Sequence, residues 1–267
     1  MTLAYDYAHD AVDDSGSDAA GDRPALVLLH SAVCDRRMWD PQWPDLVDSG
    51  YRVVRCDFRG FGQSPLPDRR HNDAEDVLDL LDGLGVERAV LIGSSYGGEV
   101  AVEIAARRPE RVAAMVLLCA GLPGHQPTDE VREFGERENE LIEAGDVEGA
   151  VELNVDTWLG PDADEEAREA VRGMQRRAFE VQLAAPEGAG RNKVEVDLAA
   201  VEAPCLAVSG GRDLADFRQI AARLPELLAD ARHLELPWAG HLPGLERPEE
   251  VTALLTGFLR ETVPAAG

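Results

Sequence analysis

Apolar residues follow two rhythms along this chain. Largely apolar runs at 25–29 (Ala-Leu-Val-Leu-Leu), 88–92, 111–118 and 204–209 read as strands buried on both faces, joined by a further strand at 51–56 and an alternating one at 231–237. Between them, residues 73–84 place Val77, Leu78, Leu81 and Leu84 at helical spacing, and 99–108 continue in the same rhythm. Strands alternating with helices build a mostly parallel sheet with helices on both faces, an α/β fold. Residues 10–23, rich in Asp, Gly and Ser, read as a solvated loop between amino-terminal strands. Asp13, Asp14 and Asp18 in it match the spacing of no calcium-binding loop.

From 123 to 190 the strand rhythm stops. Helices are expected over 128–144, 147–158 and 163–183, with Thr128 and Asp164 as caps. The chain therefore divides into a core of residues 1–122 and 191–267 and a helical insertion of 123–190. Trp158, Met174, Phe179 and Leu183 in the insertion are candidate pocket residues, although apolar residues at helical spacing more often serve packing.

The sharpest chemical signal is Gly93-Ser94-Ser95-Tyr96-Gly97, between an apolar run and a helical segment. A serine in a tight strand-to-helix turn is a candidate nucleophile, and its neighbours two before and two after must be nearly free of side chain. Ser95 then needs a base and an acid to orient that base. Asp213 follows the strand at 204–209, with Asp216 as its rival in the same loop, and His241 sits in the loop after the strand at 231–237. Two backbone amides, of Tyr96 and of Ala32 in the loop after the strand at 25–29, are assigned to an oxyanion hole. His30 is expected to brace that loop, and Asp57 and Arg59 to hold the glycine-rich turn at 60–62. His9, His71, His125 and His233 sit in surface-like contexts.

These motifs, in this order, resemble the α/β-hydrolases that carry a helical cap, a group holding esterases, enol-lactonases and carbon-carbon bond hydrolases. The resemblance spans residues 26–241 and rests on the His30 loop, Asp57-Phe58-Arg59-Gly60-Phe61-Gly62-Gln63-Ser64, the Ser95 turn, and the Asp213 and His241 pair. It implies that the insertion covers the carboxyl edge of the sheet and shapes the substrate pocket. Ser31 stands where members usually carry glycine, so the oxyanion loop is expected to be slightly displaced.

Composition narrows the partners. The net charge of −25 repels nucleic acid and anionic membranes. No apolar run is long enough for a membrane helix, and the first residues have neither a basic start nor an apolar signal core, so a cytoplasmic protein is expected. Cys34, Cys56, Cys119 and Cys205 lack metal or redox spacing and read as buried thiols. No metal-ligand pair, phosphate loop or dinucleotide fingerprint is present, so no cofactor is expected. The insertion between Gly124 and Gly190 holds 18 acidic residues against 6 arginines. It should disfavour strongly anionic substrates unless Arg176 or Arg177 turns inward.

The expected activity is serine hydrolysis of a small carboxylic ester or lactone. Cleavage of a carbon-carbon bond by the same triad, or a ligand-binding or signalling protein with vestigial activity, are the alternatives. Nothing in the sequence specifies oligomeric state or the acyl and alcohol groups.

Lys193 is the single lysine beside 25 arginines. This composition fits a high-salt cytosol as well as an ordinary acidic protein. The two differ in a measurement. Screening length falls from about 10 Å at about 0.1 M salt to about 3 Å at about 1 M, relieving carboxylate repulsion. If the surface is adapted to salt, both the thermal midpoint and the turnover of an activated ester rise between about 0.1 M and 2 M potassium chloride. A flat midpoint with activity best at low salt removes that reading.

Overall fold

The computed structural model describes residues 3–8, 24–66, 69–186, 188–192 and 194–263. The loop proposed at 10–23 with its three aspartates, His9 and Lys193 lie outside them. Seven strands form one sheet: β1 (Tyr5–Ala8), β2 (Ala25–Leu29), β3 (Val53–Cys56), β5 (Ala89–Ser94), β6 (Val112–Leu118), β8 (Cys205–Gly210) and β9 (Ala231–Leu236). Their order is β1-β3-β2-β5-β6-β8-β9, parallel throughout except for the β1–β3 pair. A separate pair joins β4 (Arg70–His71) to β7 (Gly190–Arg191). The helices are α1 (Trp43–Asp48), α2 (Asp73–Gly83), α3 (Tyr96–Arg107), α4 (Asp129–Glu143), α5 (Val147–Trp158), α6 (Glu165–Gln182), α7 (Ala215–Leu227), α8 (Pro243–Glu246) and α9 (Pro248–Thr262).

Strand residues alternate between two apolar layers, as the pleat requires. Val27, Leu29, Leu91, Leu117 and Ala207 join Val77, Ile104, Ile220 and Leu224 of α2, α3 and α7. Leu28, Ile92, Val116, Leu118 and Val208 join Leu46, Val251, Leu255 and Phe258 of α1 and α9 on the other face. This explains the largely apolar runs: such strands have no solvent face.

The chain runs from β2 outward to β3, then returns to place β5 on the other side of β2. At such a reversal the loops leaving adjacent strands part and open a crevice. The register sets Leu29 opposite Gly93, so the carboxyl ends of β2 and β5 lie level. Helices α4, α5 and α6 occupy the stretch between β6 and β8. Asp164 caps α6 by accepting from the Ala167 amide at 2.9 Å. Thr128 begins α4 without a side-chain cap bond.

The tight turn leaves no space at its glycines. A Cβ on Gly97 would lie 2.2 Å from the Leu29 carbonyl oxygen, whereas one on Gly173, inside α6, would meet nothing within 4 Å. Gly97→Ala should therefore lower unfolding free energy by about 2–3 kcal/mol through overpacking. Gly173→Ala should raise it by about 0.5–1 kcal/mol through helix propensity. Urea unfolding of the two variants checks both signs.

Candidate active site

Ser95 occupies the step between β5 and α3 with φ of 51°, a backbone conformation costly for a residue bearing a side chain. The Ser95 amide donates to the Leu118 carbonyl at 2.9 Å, while Gly98, Glu99 and Gly121 amides all donate to the Ser95 carbonyl. The serine is thus held from both sides of its peptide. Ser94, one residue earlier on the strand, is buried.

His241 lies in the loop between β9 and α8. Its Nε2 is 2.8 Å from Ser95 Oγ and its Nδ1 is 2.8 Å from Asp213 Oδ2. All three side chains are buried. Asp213 Oδ1 accepts the Leu214 amide at 2.7 Å, which fixes the carboxylate in its own loop. Asp216 turns elsewhere: its Oδ1 contacts His125 Nε2 at 2.8 Å and accepts the Thr128 amide at 2.9 Å, and its Oδ2 accepts the Thr128 hydroxyl. Burial opposes ionisation of Asp216, but these donors outweigh it and hold its carboxyl below the usual range. Asp216 ties the entry to α4 onto the core.

The His241 loop hangs on Glu246, whose carboxylate accepts the Gly240 amide at 2.9 Å and the Leu242 amide at 3.3 Å and also takes the Gly160 amide. Burial pushes the Glu246 carboxyl up against the pull of those amides. No sequence signal singled out this residue, since a glutamate ten residues past a strand is ordinary.

Tyr96 is the first residue of α3, so its amide falls among the helix's unpaired donors. Ala32 stands in the turn after β2, whose other members are tied down. The Phe58 amide donates to His30 Nε2 at 2.9 Å, so the His30 Nδ1–H donates to the Ser31 carbonyl at 2.8 Å. Burial lowers the His30 pKa and keeps this tautomer neutral. Ser31 is accommodated here in full burial, its amide directed at Met38 Sδ. Asp57 holds the neighbouring turn through the Gln63 and Arg36 amides, both at 2.8 Å. Arg59 forks onto Asp76 of α2.

A cavity of about 810 Å³ opens beside this group, with Tyr96, Gly121 and Phe217 as its walls nearest Ser95 and His241. Leu122, Val100, Val131 and Ile220 supply apolar lining, and Arg191, His71, His125 and Glu99 polar lining. The four residues proposed for the pocket line none of it. Met174 and Phe179 are buried in the packing layer of α6, and Leu183, 54% exposed, ends that helix in solvent. Trp158 packs against His241 instead, with ring centroids 4.7 Å apart. Nor do Arg176 and Arg177 turn inward: Arg176 pairs with Glu148, and Arg177 reaches the Gly62 carbonyl and Glu180.

His71, His125 and Arg191 reach the cavity through long-range contacts that local sequence does not encode. Arg191 lies 4.3 Å over the Tyr96 ring with Nε 2.9 Å from Asp73, and the Tyr96 hydroxyl donates to Asp73 at 2.6 Å. Burial opposes ionisation of Asp73, yet His71, Arg191 and Tyr96 keep its carboxyl below the usual range. His71, Asp73 and Asp76 bring ligating atoms within 4.8 Å of one another, as do Cys119, Asp213 and His241. In the first group Arg191 and Arg59 already neutralise the carboxylates, and in the second His241 is engaged by Ser95 and Asp213. Among the described residues no helix is long and apolar enough to cross a membrane.

The chain is similar over most of its length to known hydrolases. It is 27% identical over 246 residues to 3-oxoadipate enol-lactonase 1 of Acinetobacter baylyi, covering 89% of each chain. A thermophilic esterase from Thermogutta terrifontis superimposes with a TM-score of 0.78 at 26% identity, covering 98% of this chain and 94% of that one. Over 109 residues, 38% of each chain, it is 36% identical to the 2-hydroxy-6-oxo-6-phenylhexa-2,4-dienoate hydrolase of Comamonas testosteroni. The model of the alpha/beta hydrolase family matches residues 26–254, and with the sheet order and the strained serine turn already described, the chain belongs to that family.

Proposed function

We propose that the protein is a cofactor-free serine hydrolase of small, weakly charged carboxylic esters or lactones, with helices α4–α6 acting as a lid. One observation carries this reading: a continuous contact chain from Ser95 Oγ through His241 to Asp213, each link 2.8 Å, at a strained strand-to-helix turn. His241 takes the Ser95 proton as Oγ attacks the carbonyl carbon. The Tyr96 and Ala32 amides receive the resulting oxyanion. His241 then protonates the departing alkoxide, leaving an acyl-Ser95 ester. Water, deprotonated by His241, cleaves that ester to the acid and restores Ser95. Asp213 accepts from Nδ1–H, which keeps Nε2 free as the base and balances the imidazolium.

Substrate class follows from charge. The cavity arginines face Asp73 and Asp76, and the helical insertion is strongly acidic, so an anionic substrate finds little attraction. Enol-lactonase and esterase relatives support the ester or lactone bond. The partial match to the Comamonas enzyme favours carbon-carbon cleavage as the second reading, with Ser95 and His241 acting on a vinylogous ketone. The four unpaired, buried cysteines fit a reducing cytosol.

Ser95→Ala should lower turnover of an activated short-chain ester by roughly 10⁴-fold or more. A fluorophosphonate should label Ser95 alone in peptide mass spectrometry. Near-normal activity in the alanine variant, or a label on Ser94, overturns the assignment. A panel of esters, lactones and vinylogous ketones separates the two readings by relative kcat/KM.

The two loop aspartates give a second test. Asp213→Asn presents the wrong tautomer to Ser95 and should cost about 10³- to 10⁴-fold in kcat. Asp216→Asn keeps the triad intact and should cost less than about tenfold, with loss of thermal stability as its main effect. The reverse ranking would move the acid to Asp216.

A further inference from the structure

His241 is enclosed by aromatic rings from two elements. Phe217 of α7 lies 4.1 Å from the imidazole centroid and Trp158, the last residue of α5, lies 4.7 Å away, tilted by 58° and 45°. The His241 amide also donates to the Trp158 carbonyl at 3.0 Å. Behind the indole a polar chain runs from buried Asn154 to half-buried Glu138. Trp158 Nε1 donates to Asn154 Oδ1 at 2.9 Å, and Asn154 Nδ2 donates to the Ala150 carbonyl at 2.9 Å and to Glu138 of α4 at 2.5 Å. Both amide hydrogens of Asn154 are thereby used, which fixes its orientation.

Placing an asparagine inside an apolar packing layer, with a half-buried carboxylate at its edge, is costly unless every polar atom is matched. Asn154 is 1% exposed, and burial pushes the Glu138 carboxyl up. A leucine at 158 would need none of this. The polar chain fixes the plane of one indole, and that indole faces the base.

We propose that Trp158 is a positioning residue for His241, oriented by Asn154 and Glu138, which holds the imidazole plane and stabilises its cationic form when Ser95 gives up its proton. The ring faces carry negative charge density and attract a cation within about 6 Å. The inference rests on the triad reading above. Other ionisable groups around the imidazole are Asp213 from the loop before α7, Glu246 from α8 and the Cys119 thiol at the end of β6; substitution at 158 leaves all three in place.

The test reads the imidazole directly. His241 is followed by NMR of its Cε1–H across pH, assigned among six histidines by comparison with His241→Gln. Trp158→Leu keeps the position apolar but removes the ring, so the titration midpoint should fall by about half a pH unit, and Trp158→Phe should restore most of it. In ester turnover, Trp158→Leu should lower kcat about tenfold with KM within about twofold. Asn154→Leu leaves the ring but frees it, and should move midpoint and kcat in the same direction by less. If Trp158→Leu does not fold, Asn154→Leu alone decides. A normally melting Asn154→Leu with unchanged midpoint and kcat overturns the proposal, as does a midpoint unmoved or raised in a folded Trp158→Leu. A shifted midpoint in a protein whose wild type cleaves no ester or lactone upholds the positioning role and overturns the functional reading.

Discussion

The site depends on how closely helix α3 approaches the ends of β2 and β5. The Gly97 Cα sits where any added carbon would strike the Leu29 carbonyl, and at Gly93 an added carbon would strike the Gly97 carbonyl. Only at that separation does the peptide before α3 adopt the left-handed geometry that lifts Ser95 off the sheet. The same approach sets the start of α3 against the loop after β2, where a Cβ on Gly97 would also meet the His30 carbonyl. The apolar layers on both faces oppose the strain, since α3 cannot retreat without uncovering Val100, Ala101 and Ile104.

Much of this was legible because the requirements are local. Largely apolar runs mark two-faced strands, and a Gly-x-Ser-x-Gly turn between strand and helix marks a candidate nucleophile without any knowledge of its partners. Asp213 and Asp216 were harder to separate: both belong to one approach to α7, and only the fold turns Asp216 back toward Thr128. The pocket residues were misread for a related reason. Helical spacing finds the apolar face of α6 but not what that face meets, and Met174 and Phe179 meet the core. Arg191 and His71 come together through a pairing of two-residue strands separated by more than a hundred positions, which has no periodicity to detect.

Charge is distributed by the same logic. The insertion's arginines are drawn outward into ion pairs, as where Arg172 gathers Glu152, Glu165 and Glu169. Arginines at the cavity lie against carboxylates beneath it. The surface therefore carries the excess negative charge, while Arg59 and Arg191 at the cavity are each matched by a carboxylate.

The helical insertion is fastened to the core at several places, among them His125 and Thr128 on Asp216, Gly160 on Glu246, the Trp158 carbonyl on the His241 amide, and Arg177 on the Gly62 carbonyl. A lid tethered once would surrender its conformational freedom each time a substrate arrived, weakening every encounter by that amount. Here the freedom is lost once, during folding. Ligand association should consequently carry a small ordering entropy, and discrimination among substrates falls to the fixed contours of the cavity rather than to how well each one draws a mobile cover closed.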